Sequence, residues 1–377
     1  MNKTLQNSQL IPRLILAGCA GIIFFGYGPC GDAQSASQDP VQAAIEATAR
    51  RTSPQTQWFG PTSGPRAVTG KKIVCINANS KNPIENLWGS SVSEAAKTIG
   101  WEVSVLDGKG TVDGQITALN QAIALNPQGI VTSANVAPLL DPLTVATSHG
   151  ILVVGIHASA MPGPDPAHHL LYNITSSGKD IGNALADYII ADSKGKGRAI
   201  ILYDAQYAIA RLKAESMKQE LSTCPGCKLL DYVNSPLNEV ATQMPQLGSA
   251  WVTRFGPPFY VMTIADYYYD FLVPSLRTGG IGPDDVKLLG SDGTPEAYNR
   301  VRSGNYQVMT VPEPAILQGY QAVDALNRAF QGEKPVDFQQ PVYLVVKQNV
   351  DKEGGDKNVF DPSSNYRERY LKIWKPE

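Results

Sequence analysis

LLGSDGTPEAYNRVRSG, residues 288–304, changes its periodicity halfway along. Leu288 and Leu289 end an apolar run at Gly290, and the polar turn Ser291-Asp292-Gly293-Thr294-Pro295 leads into an Ala/Tyr/Val spacing over 296–302, closed by Gly304. The pattern predicts strand, loop and helix, because proline is favoured at the start of a helix and glycine just past its end. In an open α/β sheet, ligands sit outside the carboxyl ends of the strands, so Asp292 is expected to turn a carboxylate into a cleft.

The same alternation extends in both directions. Apolar strands are expected at 72–76, 101–106, 129–131 and 151–156, with helices at 88–99, around Ile116, Leu119 and Ile123, and at 136–148. Continuous apolar strands between amphipathic helices imply a parallel sheet covered on both faces. A second round follows: a crossing strand at 170–175, strands at 198–203, 229–233 and 259–264, and helices at 181–190, 208–221, 240–255 and 271–277. After Pro314 come a helix at 316–330 and a last strand at 341–346. Two α/β lobes of similar size imply a cleft between them.

Composition sets the class. The chain has 377 residues, 43% hydrophobic and 18% charged, with a net charge of −2, which suits a globular protein of two domains. No basic excess points to nucleic acid. Five cysteines are too few for a disulfide scaffold. At the N-terminus Lys3 and Arg13 precede an apolar run at 14–25, shorter than the ~20 residues a spanning helix needs, so an export signal is expected. Cleavage after Ala33 or Ser35 gives a free periplasmic protein, whereas Leu16-Ala17-Gly18-Cys19 looks like a lipoprotein box with an anchor at Cys19. Residues 36–70 are expected as a lead-in tacked onto the first lobe, with Trp58 and Phe59 in a Pro/Gly-rich stretch.

A strand ending in Gly-x-Asp-Gly-Thr-Pro, a helix ending in Arg-Ser-Gly and the strand YQVMTVPEP (306–314) resemble the periplasmic binding proteins of the sugar (ribose-like) ABC importers. The resemblance covers roughly residues 71–350. It implies two doubly wound parallel-sheet lobes of the type I fold joined by a three-strand hinge, with crossings near Thr175, Glu313 and Phe338. The expected division is 1–35 signal, 36–70 lead-in, 71–175 with 314–338 as the first lobe, 176–313 with 339–350 as the second, and 351–377 as a tail packed on the second lobe.

The resemblance also implies a site, position by position. Its Asn-Pro after the first strand is Asn82-Pro83 here, but the two sugar-stacking aromatics that follow are replaced by Ile84 and Glu85. Thr132 stands for an Asn after the third strand, and His157 for an Asp after the fourth. Arg211 and Lys213 match the basic residues early in the second lobe, while Ala265-Asp266, Ser291-Asp292 and Glu313 match its later polar positions. Tyr207, Tyr172 or Tyr267 could supply a stacking wall, although Tyr267, Tyr268 and Tyr269 cannot all face one way. Each polar position also has a plain structural reading: Asp266 and Asp292 as helix caps, His157 as a core histidine, Arg211 and Lys213 as solvated charges.

Chemistry is not expected. The spacing of Gly108, Gly110 and Gly114 is one residue too long for a dinucleotide fingerprint, and His168-His169 lacks the company of a metal site. Cys224-Pro225-Gly226-Cys227 follows a helix rather than starting one, so a local structural disulfide is expected, and Cys75 is expected as a buried free thiol. The combined expectation is a monomeric periplasmic solute-binding protein without cofactor or metal. It would capture a small polyhydroxylated solute and deliver it to an ABC permease. An exported sensor facing a chemoreceptor or histidine kinase, and a binder of an amine or aromatic solute, are the alternatives. A DNA-binding repressor of this fold is set aside by the export signal.

Overall fold

The computed structural model describes residues 39–375. The signal segment, Cys19 and both cleavage points lie outside the described residues.

A lead-in helix α1 (Pro40–Arg51) comes first. The first sheet then uses β1 (Lys72–Asn77), β2 (Glu102–Asp107), β3 (Gly129–Thr132), β4 (Leu152–Ile156), β5 (Gly163–Asp165) and β6 (Leu170–Ile174). Between them run α2 (Pro83–Thr98), α3 (Val112–Ala124) and α4 (Leu140–Ser148). The chain continues through α5 (Gly178–Asp192), β7 (Arg198–Tyr203), α6 (Ala208–Ser222), β8 (Lys228–Asn234), α7 (Val240–Phe255) and β9 (Phe259–Thr263). It then forms α8 (Tyr269–Thr278), β10 (Val286–Asp292), α9 (Pro295–Ser303), β11 (Gln307–Pro312), α10 (Ala315–Ala329), β12 (Val345–Val346) and α11 (Tyr366–Trp374).

Strand order is β2-β1-β3-β4-β6-β5 in one sheet and β12-β11-β10-β9-β7-β8 in the other. Each is parallel except at one edge, where β5 runs against β6 and β12 against β11. The last strand is thus a two-residue antiparallel edge rather than the six-residue run read from the sequence. Strand order reverses beside β1 in the first sheet and beside β7 in the second, and at such switch points the carboxyl ends leave a crevice. The strands read as continuous apolar runs because both faces are covered: Val74 and Ile76 of β1 face α3, while Ile73 and Cys75 face α2 and α10.

The chain leaves the first sheet after β6, returns from β11 into α10, which packs on α2, β4 and β6, and leaves again to reach β12. Two further segments pass from one lobe to the other. Helix α1 packs on α5, with Arg51 Nη1 2.5 Å from Asp187 Oδ2. The following stretch then runs over the first lobe, where Trp58 packs against Phe338 and Tyr370, and Val68 N donates to Asn327 Oδ1. Near the C-terminus, Tyr343, Val350 and Phe360 cluster with Tyr298 of α9. Helix α11 instead buries Tyr366, Tyr370, Ile373 and Trp374 in the first lobe's core, stacking Trp374 on Tyr320 of α10. The terminal helix therefore rests on the first lobe and not the second. Its apolar face is complementary to the aromatic surface of α10, a partner that local sequence does not specify. Glu353 ties the two segments together by accepting from Gln55 N and Ser363 N.

Cys224 and Cys227 are bonded across the turn between α6 and β8. Cys75 is free and buried in β1, where desolvation pushes its thiol up to about 12.

Candidate functional site

A narrow cavity of about 50 Å³ opens where the strand ends of the two sheets face each other. The first lobe contributes Asn82, Ile84, Glu85 and Trp88 from the start of α2, Ser133 after β3 and His157 after β4. The second contributes Tyr207, Ile209, Ala210 and Lys213 around the start of α6, Leu237, Ile264 and Ala265 after β8 and β9, and Asp292 at the end of β10. A larger surface hollow, about 420 Å³, lies where 61–64 meet α11, but its charged residues are exposed. Of these two, only the strand-end cavity gathers buried ionisable groups, so it is the better site.

Local structure fixes each first-lobe group. Asn82 caps α2 by accepting from Ile84 N, and Pro83 follows at the first helical position. One turn in, Glu85 points back under β1: its Oε2 accepts from Ala78 N at 3.1 Å and from the Ser133 hydroxyl. Burial pushes this carboxyl up to about 8 against the lowering effect of those two bonds. Trp88 donates Nε1 to Gln318 Oε1 at 2.6 Å and lies over His157, ring centroids 4.9 Å apart.

Behind the cavity wall, Glu313 joins the lobes. Its Oε2 accepts from Ser176 Oγ at 2.5 Å and Gln318 Nε2 at 3.1 Å, and its Oε1 lies 3.5 Å from Lys213 Nζ. His157 Nε2 lies 3.1 Å from Oε2 without the alignment of a hydrogen bond. Burial alone would raise the Glu313 carboxyl, but the basic groups of His157 and Lys213 and the Ser176 hydroxyl outweigh it and hold it below the ordinary range.

Asp292 differs from these groups. It is 5% exposed, its oxygens accept no hydrogen bond from any described residue, and its nearest cation, Lys213 Nζ, is 3.7 Å away. Desolvation, with Asp266 and Glu313 adding to it, pushes its carboxyl up to about 7 although Lys213 pulls the other way. A carboxyl poised near neutrality both donates and accepts hydrogen bonds, as a hydroxyl does.

Of the residues expected from the sequence, Asn82, Ile84, Glu85, His157, Tyr207, Lys213 and Asp292 line the cavity. Four do not. Thr132 is buried and accepts from Ala134 N, leaving its neighbour Ser133 at the wall. Arg211 turns away to donate to the Ala205 carbonyl. Asp266 is fully buried, with both oxygens occupied by Gly293, Thr294, Gln307 and Thr310. Glu313 stands behind His157 and Lys213. The tyrosine run is also occupied elsewhere: Tyr268 and Tyr269 donate to the carbonyls of Ser235 and Val261, and Tyr267 packs on Phe271.

Trp88, Ile209, Leu237 and Ile264 were missed. Trp88 had a signal, because it lies four residues after Ile84 on the same helix face and restores an aromatic one turn beyond the family's position. His168 pairs with Asp165 on the surface, and no cluster able to hold a metal occurs among the described residues.

A family model described as periplasmic binding protein domain matches residues 73–334. No curated protein matches the chain. Among solved structures, an ABC transporter solute-binding protein from Agrobacterium vitis with bound α-D-tagatopyranose superimposes with a TM-score of 0.70 at 16% identity, covering 77% of this chain and 99% of that one. A solute-binding protein from Bacillus halodurans C-125 with bound myo-inositol gives 0.66 at 19% identity, covering 77% and 99%. The arabinose ABC transporter's binding component from Shewanella sp. ANA-3 gives 0.67 at 17% identity, covering 76% and 95%. These likenesses establish the shared two-lobe fold, and the match over 73–334 identifies the relationship: the chain belongs to the periplasmic binding protein domain family.

Proposed function

We propose that this protein is the solute-binding component of an ABC importer, capturing a sugar or polyol between its lobes and handing it to a membrane permease. One observation carries the reading: the enclosed Asp292 carboxyl, facing the cavity beside Lys213 and without a hydrogen-bond donor of its own, is matched to a hydroxylated solute. Glu85 and His157 on the opposite lobe add polar groups, and Trp88 with Ile84, Ile209 and Ile264 supplies apolar walls for the C–H faces of a compact polyol. Solved proteins of the same fold hold tagatose, allitol, arabinose and myo-inositol, which agrees with that chemistry. The solute-contacting set is Asn82, Glu85, Trp88, His157, Lys213 and Asp292.

A cavity of about 50 Å³ has room for only a few waters, so the lobes must part about the hinge to admit a solute and close again around it. Capture and release require no turnover and no cofactor. The expected export signal would deliver the mature chain to the periplasm as a monomer, either free or anchored at Cys19.

A thermal-shift screen with D-tagatose, allitol, L-arabinose and myo-inositol, beside dicarboxylates and amines, tests the reading. A bound solute at 100 times its dissociation constant adds about 2.7 kcal/mol to stability. Stabilisation by dicarboxylates or amines alone would replace the proposed solute class.

A further inference from the structure

The turn that presents Asp292 is conformationally unusual. Asp292 has φ +96° and Gly293 has φ +74°, so a non-glycine residue occupies a region that side chains with a Cβ rarely adopt. Something must hold it there. Directly beneath lies Asp266, 0% exposed and outside the cavity lining. Its Oδ2 accepts from Gly293 N at 2.8 Å, Thr294 N at 3.4 Å and Thr310 Oγ1 at 2.7 Å, and its Oδ1 accepts from Gln307 Nε2 at 2.6 Å.

The surrounding residues fix this carboxylate in turn. Arg300 Nε donates to Gln307 Oε1, its Nη2 to the Asp266 carbonyl, and its Nη1 to Asp270. Gly290 leaves the needed space, since a methyl group there would lie 1.9 Å from Asp266 Oδ1. An anion that accepts from two successive amides of a left-handed turn stabilises that backbone shape directly.

We propose that Asp266 is a positioning residue for solute binding: without touching the solute, it clamps the 292–294 turn so that the Asp292 carboxylate stays in the cavity beside Lys213. The role rests on the solute-binding reading for its purpose, but its geometry is independent of which solute binds. A merely structural Asp266 would stabilise the second lobe without controlling where Asp292 points.

Crystal structures of the full chain without solute decide between the two. In Asp266→Ala, Asp292 is expected to leave positive φ and its carboxylate to leave the cavity while both sheets persist. Asp292 retained at φ near +96° in that variant would overturn the proposal. If Asp266→Ala does not fold, the near-isosteric Thr310→Val decides by hydrogen exchange. The Gly293 and Thr294 amides should exchange at least threefold faster while the Leu288 amide on the same strand is unchanged; no change, or a uniform change, overturns the clamp.

Titrations with myo-inositol and D-tagatose add a coupling test. Asp266→Ala should weaken binding at least tenfold in the wild-type background and have no further effect in an Asp292→Ala background. Equal losses in both backgrounds would refute positioning. If wild type binds neither probe while Asp292 moves as expected, the solute class is wrong and the positioning role stands.

Discussion

Replacing Asp292 with asparagine keeps the side chain's size and its tolerance of positive φ, and removes one buried titratable carboxyl. Burial moves that carboxyl from 3.8 in the unfolded chain to about 7 in the folded one. The folded state therefore holds the proton more tightly. Stability linked to the group is fully present below pH 3.8 and is lost as the pH rises through about 7. At 1.36 kcal/mol per pH unit the loss is of order 4 kcal/mol. The group is almost wholly enclosed, so solvent screens little of it. Asp292→Asn does not titrate and escapes the loss. Its unfolding free energy relative to wild type should rise by about 4 kcal/mol between pH 4 and pH 8, the difference being read from urea unfolding at each pH. Glu85 and Asp266, pushed up to about 8 and about 6, titrate with the same sign in both proteins, and loss of the Asp292 charge that helps to raise Glu85 adds to the difference in the same direction. A difference independent of pH, or one that shrinks toward pH 8, would refute the assignment of Asp292 as a buried acid without a hydrogen-bond donor. The stabilised asparagine variant should also be the weaker solute binder, as expected where function maintains an unfavourable group.

Glu313→Gln removes the carboxylate that lies between His157 and Lys213 and leaves Lys213 with Asp292 alone. It should cost about 3–5 kcal/mol at pH 7 by urea unfolding. Because the folded carboxyl is held low, that cost should fade as the pH drops below 4.5, and a cost unchanged at pH 3 would contradict the pairing. Removing both Cys224 and Cys227 opens a four-residue loop, worth about 2 kcal/mol by chain entropy, and should leave solute affinity unaltered in calorimetry. Trp374→Ala deletes the ring stacked on Tyr320 and the Nε1 donor to Asp324, and should lower stability by about 3–5 kcal/mol. A loss below about 1 kcal/mol would show that the terminal helix is dispensable to the first lobe.

The alternation of apolar strands with amphipathic helices was legible because a parallel sheet buried on both faces needs continuous apolar strands. The cavity was legible in part, for reasons visible at particular residues. Arg211 and Lys213 lie two apart on α6 and cannot share a face, so helical geometry alone admits only one of them to the cleft, and it is Lys213. Thr132 ends β3 and Ser133 follows it, so the two side chains leave on opposite sides and only Ser133 reaches the cavity wall. Asp266 is a different case. Its carboxylate follows a strand, as a ligand group would, and what withdraws it from the cavity are Gln307 and Thr310, which are 41 and 44 residues away and brought beside it by the pairing of β10 with both β9 and β11. The tail carrying Trp374 was expected on the second lobe, yet its partner, the aromatic face around Tyr320, belongs to the first. Local pattern gives the face of an element and the residues able to do polar work. Which of two equivalent carboxylates meets solute and which secures the turn beneath it depends on contacts between distant strands, and here that choice puts Asp292 in the cavity and Asp266 beneath it.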